Sequence, residues 1–142
     1  MSKLNYFLEE YSKSHQHPIN LVIHHICVPL ITLNIMVYYR LLPLFGVPWP
    51  EVVSVLVLFY YGFLDKKLIL PMLIPLIILC IASYFLVLKI ENILILNSLI
   101  FALAWFAQFI GHSIEGKKPS FVEDLRFLFI GPIWVLKKWK LL

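Results

Sequence analysis

The sequence predicts an all-α, polytopic membrane bundle of about four transmembrane spans, with an interfacial or re-entrant helix at the C-terminus. Composition is the first ground: 61% of residues are hydrophobic and only 14% charged, and mean hydropathy is +0.89. A soluble chain of 142 residues exposes too much surface to hide that many apolar groups, whereas a bilayer acts as their solvent. Patterning is the second: the apolar residues fall into runs of roughly span length, parted by charged or Pro/Gly-rich breaks. Charge placement is the third, because the cations alternate between crowded and nearly empty loops. The length suits one domain over 1–142.

Met1 to His17 is polar and lacks the apolar stretch of a cleaved leader. The first span runs from Asn20 to Tyr39, with Pro18 suited to a first helical turn, Asn20 to capping, and Pro29 expected to kink it. Pro43 to Pro50 breaks the chain, and Trp49 suits a membrane interface. Glu51 to Leu64 is a short second span that needs tilt or local thinning. Asp65, Lys66 and Lys67 make a charged hairpin. The third span, Leu68 to Leu88, is expected to be interrupted at Pro71 and Pro75; Ile93 to Gly111 is the fourth. Ile114 to Ser120 reads as a polar, basic loop. The tail from Phe121 to Leu142 carries Glu123, Asp124 and Arg126, with a bend expected at Gly131 and Pro132.

Four crossings put Arg40 and Lys89 on one side and the rest of the twelve Lys and Arg on the other. Both termini are then expected in the cytoplasm, in a bacterial inner membrane or in endoplasmic reticulum. The formal net charge of +4 reads as this topology signal, so no nucleic-acid partner is expected. Membrane lipids are expected neighbours, Lys137 to Lys140 suit anionic headgroups, and nothing indicates an oligomer. Cys27 and Cys80 sit in apolar runs and read as small buried hydrophobes.

The five histidines carry the chemistry. His15, His17, His24, His25 and His112 all fall near the cytoplasmic rim, where a buried ionisable group is costly unless it is paired. On one continuous helix His15 and His24 would face opposite ways, but Pro18 breaks the helix and lets His15 fold back. Asn20 and His24 share a face, and Gln108, Gly111, His112 and Glu115 form one polar stripe. If the two stripes meet, His15, His24 and His112 converge as metal ligands, with Glu115, Asn20 and Gln108 around them as the remaining candidate catalytic groups. Imidazoles with a carboxylate suit Fe(II), Mn(II) or Zn(II), and Tyr11, four residues before His15, is placed to support it. The plainer alternatives stay open: His17 and His25 as hydrogen-bonded rim groups, Gln108 and Asn97 as helix–helix contacts, Gly111 and Gly116 as packing and helix-end residues.

The stretch Tyr11-Ser-Lys-Ser-His15-Gln-His-Pro18-Ile-Asn20-Leu-Val-Ile-His24, continuing to Pro29, resembles the N-terminal signature of the Mpo-type 2-hydroxy fatty acid dioxygenases. Gln108-Phe-Ile-Gly111-His112-Ser-Ile-Glu115-Gly-Lys-Lys-Pro119, followed by Gly131-Pro132, resembles the second motif; Ser120 stands where that family usually has alanine. The resemblance covers nearly the whole chain, although the middle spans match only in hydropathy. It implies an Fe(II) enzyme of fatty acid α-oxidation that uses O2 to cleave the C1–C2 bond of a 2-hydroxy fatty acid. It also implies His15, His24 and His112 as the metal-binding histidines and Glu115 as a fourth ligand or a nearby base. A bis-histidine haem protein and a non-catalytic lipid-binding or scaffolding protein are the competing classes.

Overall fold

The computed structural model describes residues 3–42, 45–116 and 127–142. Among them there is no strand. Met1, Ser2, Pro43, Leu44 and 117–126 lie outside that description, and with them the basic loop at Lys117 and Lys118, the motif residues Pro119 and Ser120, and the charges at Glu123, Asp124 and Arg126.

Helix α1 (Lys3–Lys13) opens the chain and buries Leu4, Leu8 and Tyr11, one stripe at helical spacing. Helix α2 (Pro18–Leu41) starts on a proline, whose missing N–H costs nothing in a first turn, and continues through Pro29. Helix α3 (Trp49–Leu64) is short for a span, at 16 residues. It ends where Asp65 turns extended, and the Asp65 carboxylate accepts the Lys67 N–H at 2.9 Å to seat a 3-10 turn over Lys66–Leu68. Helix α4 (Ile69–Lys89) follows without a break, contrary to the interruption expected at Pro71 and Pro75. Pro71 falls in its first turn, and an apolar helix tolerates the single hydrogen bond lost at Pro75. Helix α5 (Ile93–Ile114) gives way to Gly116 at φ +75°, the left-handed conformation that stops helices and suits glycine. Helix α6 (Ile130–Lys138) holds Gly131 and Pro132 in its first turn, so they begin a helix and do not bend one.

Three segments are long and apolar enough to cross a bilayer: Pro18–Leu41, Lys66–Lys89 and Ile93–Ile114, with mean hydropathies of 1.8, 2.5 and 2.1. Large apolar side chains stand exposed along them, among them Val22, Ile26, Ile74, Ile81, Leu103 and Phe106. Surface of that kind is what lipid covers. Together these features make the chain an all-helical membrane protein.

The helices form two compact units, Leu30–Ala102 and Met1–Pro29 with Leu103–Leu142. In the first, Asn97 Nδ2 donates to the Asn34 carbonyl at 3.2 Å, tying α5 to α2. Arg40 is the hub of a polar cluster there: its guanidinium donates to Ser83 Oγ at 3.1 Å, the Cys80 carbonyl at 3.2 Å and Glu51 at 2.5 Å. An arginine at the end of an apolar helix needs such partners, because an unpaired charge near hydrocarbon is costly. The second unit carries the histidines.

Candidate metal centre

His15 sits in the short connection between α1 and α2, His24 two turns into α2, and His112 in the last turn of α5. All three are buried, at 3%, 1% and 4% exposure. Their ring centroids lie 4.1 Å (His15–His24), 4.8 Å (His24–His112) and 5.1 Å (His15–His112) apart. One nitrogen from each falls within 4.8 Å of the others, so the group can hold a metal ion. A metal bound to imidazole at about 2.0–2.1 Å needs its donors within about 4.2 Å; small ring rotations close the difference. Three imidazoles in mutual contact leave no gap for a porphyrin between any pair.

Backbone carbonyls orient two of the rings. His15 Nδ1 lies 2.5 Å from the Tyr11 carbonyl and His24 Nδ1 lies 3.0 Å from the Asn20 carbonyl. A carbonyl can only accept, so each Nδ1 carries the proton and each Nε2 keeps its lone pair. This is how metal-binding histidines are usually held. His15 Nε2 is buried with no hydrogen-bond partner among the described residues, an arrangement that costs free energy unless something takes the lone pair. Burial is the main force on His15 and moves its pKa down from 6.5 to about 4, keeping the ring neutral and able to ligate.

The wall beside His15 is aromatic. The Tyr11 ring stacks on it at 4.0 Å and 12°, and the Trp134 indole stands 5.3 Å away. Trp134 is 2% exposed and donates its Nε1–H to Ser12 Oγ at 2.9 Å, which docks α6 on α1. Tyr11 thus supports His15 with both its carbonyl and its ring. Trp134 had no signal in the sequence beyond being one of four tryptophans. Within the C-terminal segment, expected to be interfacial or re-entrant, α6 packs Ile130, Gly131, Ile133, Trp134, Val135 and Leu136 against the rest of the protein.

The other candidate residues gather nearby in different ways. Asn20 is fully buried; its Nδ2 donates to the Ser14 carbonyl at 2.9 Å and to Glu115 Oε2 at 3.2 Å. Its Oδ1 is buried without a hydrogen-bond partner among the described residues and faces Gly111, where any added Cβ would collide with it. The Glu115 carboxylate accepts the backbone N–H groups of Gln16 at 3.0 Å and His17 at 2.7 Å. Burial pushes the Glu115 pKa up, but the donors from His17, Gln16 and Asn20 together outweigh it and hold the carboxyl below its ordinary range. Gln108 is buried one turn before His112. His17 and His25 stay outside the cluster: His17 Nδ1 accepts the Ile19 N–H at 3.3 Å, and the His25 ring lies 5.5 Å from Trp134.

Fold and site together define a helical membrane protein with a buried, aromatic-walled cluster of three histidines that suits a metal ion. A family model described as 2-hydroxy-palmitic acid dioxygenase Mpo1-like matches residues 1–140, nearly the whole chain, and the chain belongs to that family. No curated protein and no solved structure matches it.

Proposed function

We propose that the protein is an Fe(II)-dependent dioxygenase that cleaves the C1–C2 bond of a 2-hydroxy fatty acid with O2, leaving a fatty acid one carbon shorter and releasing C1 as CO2 with one molecule of water. One observation carries the reading: in a chain of this family, three buried histidines offer nitrogens within 4.8 Å of one another. Neutral imidazoles suit iron among the divalent metals, and few protein ligands leave positions for substrate and dioxygen. Fe(II) held there would give triplet dioxygen a spin-allowed route to reaction and act as a Lewis acid for the 2-hydroxy carboxylate, whose own C1 and C2 provide the four electrons that O2 takes up.

The chain's own residues do the rest. His15 and His24 are held as ligands by the carbonyls of Tyr11 and Asn20. Tyr11 and Trp134 shield His15 from bulk water. Near the cluster, exposed Ile19 and Val22 of α2 and Phe106 and Ile110 of α5 offer apolar surface suited to an acyl chain dissolved in the bilayer. Residues 1–142 serve this activity as one membrane-embedded domain, with both termini in the cytoplasm by the charge asymmetry.

The decisive experiment is anaerobic loading with Fe(II), then addition of 2-hydroxypalmitate and O2. Pentadecanoic acid should appear, and His15→Ala, His24→Ala and His112→Ala should each abolish both iron retention and product. An iron-loaded protein that forms no odd-chain acid would overturn the reaction; histidine variants that retain iron would overturn the site.

A further inference from the structure

Glu115 sits one residue beyond α5, three residues after His112. Its carboxylate reaches across to the connection that carries His15, taking the Gln16 N–H on Oε1 at 3.0 Å and the His17 N–H on Oε2 at 2.7 Å. Oε2 also accepts from Asn20 Nδ2 at 3.2 Å, and that same amide holds the Ser14 carbonyl at 2.9 Å. The residues on both sides of His15 are thereby fixed through one carboxylate and one amide. The Asn20 backbone carbonyl is the group that orients His24. Glu115 is thus linked to all three histidines, yet no oxygen of it belongs to the set of donors within 4.8 Å of one another.

We infer that Glu115 is a positioning residue: it clamps the α1–α2 connection to the end of α5, sets the spacing of His15, His24 and His112, and is neither a metal ligand nor a base. The inference rests on the proposed metal-binding role of the three histidines. A carboxylate is the right chemistry for the task, since it only accepts, and among the described residues its hydrogen-bond partners are all N–H donors. Its charge strengthens those bonds and complements the N-terminus of α2. A glutamine keeps the size but turns an NH2 toward at least one of the donors, leaving that donor unpaired. Gly111 completes the clamp, because only a residue without a side chain lets Asn20 lie this close to α5.

Anaerobic Co(II) titration of the full chain in detergent, followed by visible absorption, separates the roles. Wild type should bind one Co(II), and His112→Ala should change the bands. Glu115→Gln should keep the saturated wild-type spectrum while its Kd rises tenfold or more, and Glu115→Asp, which retains the charge, should recover part of that loss. Arg40→Met, remote from the histidines in sequence, should lower the thermal midpoint without changing Kd. A shifted saturated spectrum in Glu115→Gln makes Glu115 a ligand, and an unchanged Kd makes it a bystander; either overturns the clamp. So does an equal loss of affinity in Arg40→Met, which would trace the effect to general destabilisation. If Glu115→Gln does not fold, Glu115→Asp carries the same two tests at smaller amplitude: it should bind more weakly with an unchanged spectrum. Absence of histidine-dependent Co(II) bands in wild type would instead defeat the metal reading itself, a failure visible before any Glu115 variant is made.

Discussion

His15 is 3% exposed and its burial draws the pKa from 6.5 to about 4, against the pull of the Tyr11 carbonyl and with the push of His112. Between those two values the unfolded chain binds the extra proton and the folded chain does not. The stability contributed is therefore complete above pH 6.5 and is lost as pH falls through about 4. The difference amounts to at most about 3 kcal/mol. The metal-free protein should lose thermal midpoint between pH 7 and pH 4.5, and His15→Gln should remove part of that loss; circular dichroism melts in detergent read both, and identical pH profiles for the two proteins would refute the assignment. Gly111→Ala tests the close approach to Asn20: overpacking there should cost about 1–3 kcal/mol and weaken metal binding, and an unchanged melt would show that Asn20 can swing aside. Much of this site was legible in the chain. The spacings of Tyr11 to His15, Asn20 to His24 and Gln108 to Glu115 place side chains on common helix faces, and those faces do meet. The Trp134 wall was not legible, since it arises from a tertiary contact between the two ends of the chain. The donors that face Glu115 were equally hidden, because backbone N–H groups leave no mark on a sequence.

Helices α2, α3 and α4 each contribute to the cluster around Arg40, whose side chain is 15% exposed while that of Glu51 is 46% exposed. Half-exposed Glu51 weakens the ion pair through solvent screening, so the bonds to Ser83 and the Cys80 carbonyl matter as much as the charge. Removing the guanidinium by Arg40→Met leaves Ser83, which is fully buried, short of a donor. It should destabilise the protein by about 1–3 kcal/mol, whereas Glu51→Gln should cost under about 1 kcal/mol. Unfolding melts of the two variants check the order; the reverse order would mean that the ion pair outweighs the bonds to Ser83 and Cys80. At this scale the apolar runs located the long helices to within a few residues, because a span must be apolar along its whole length. What patterning missed was α1. Three buried residues, Leu4, Leu8 and Tyr11, form its stripe, and the charges between them hid it among polar residues. The prolines misled for a related reason: Pro71 and Pro132 sit in first turns, where proline costs least, and their position in a turn depends on where the helix starts.

At the scale of the molecule, the histidine cluster constrains how the chain threads the bilayer. His24 lies near the start of α2 and His112 near the end of α5, and their rings are 4.8 Å apart. The start of α2 and the end of α5 are therefore at one membrane face, and the chain between them must cross an even number of times. Three segments have span length; three crossings alone would separate the two histidines by the thickness of the hydrocarbon core, about 30 Å. We propose α3 as the fourth crossing: its 16 residues reach about 24 Å as a helix, short enough to require local thinning of the bilayer. The same face then holds α1 and α6, since Tyr11 and Trp134 are in ring contact at 5.2 Å. On that proposal the order of the chain puts Lys13, Lys66, Lys67, Lys137 and Lys138 on one side of the membrane and Arg40 and Lys89 on the other, an asymmetry from which the positive-inside rule assigns the lysine-rich side to the cytoplasm. Single cysteines placed at Ser12, Lys67 and Leu142 of a chain lacking Cys27 and Cys80 should label only from the cytoplasmic side, and cysteines at Phe45 and Glu91 only from the other. Labelling of Lys67→Cys from the side that labels Phe45→Cys would mean that α3 does not cross, and the three-histidine cluster could then not form in a membrane.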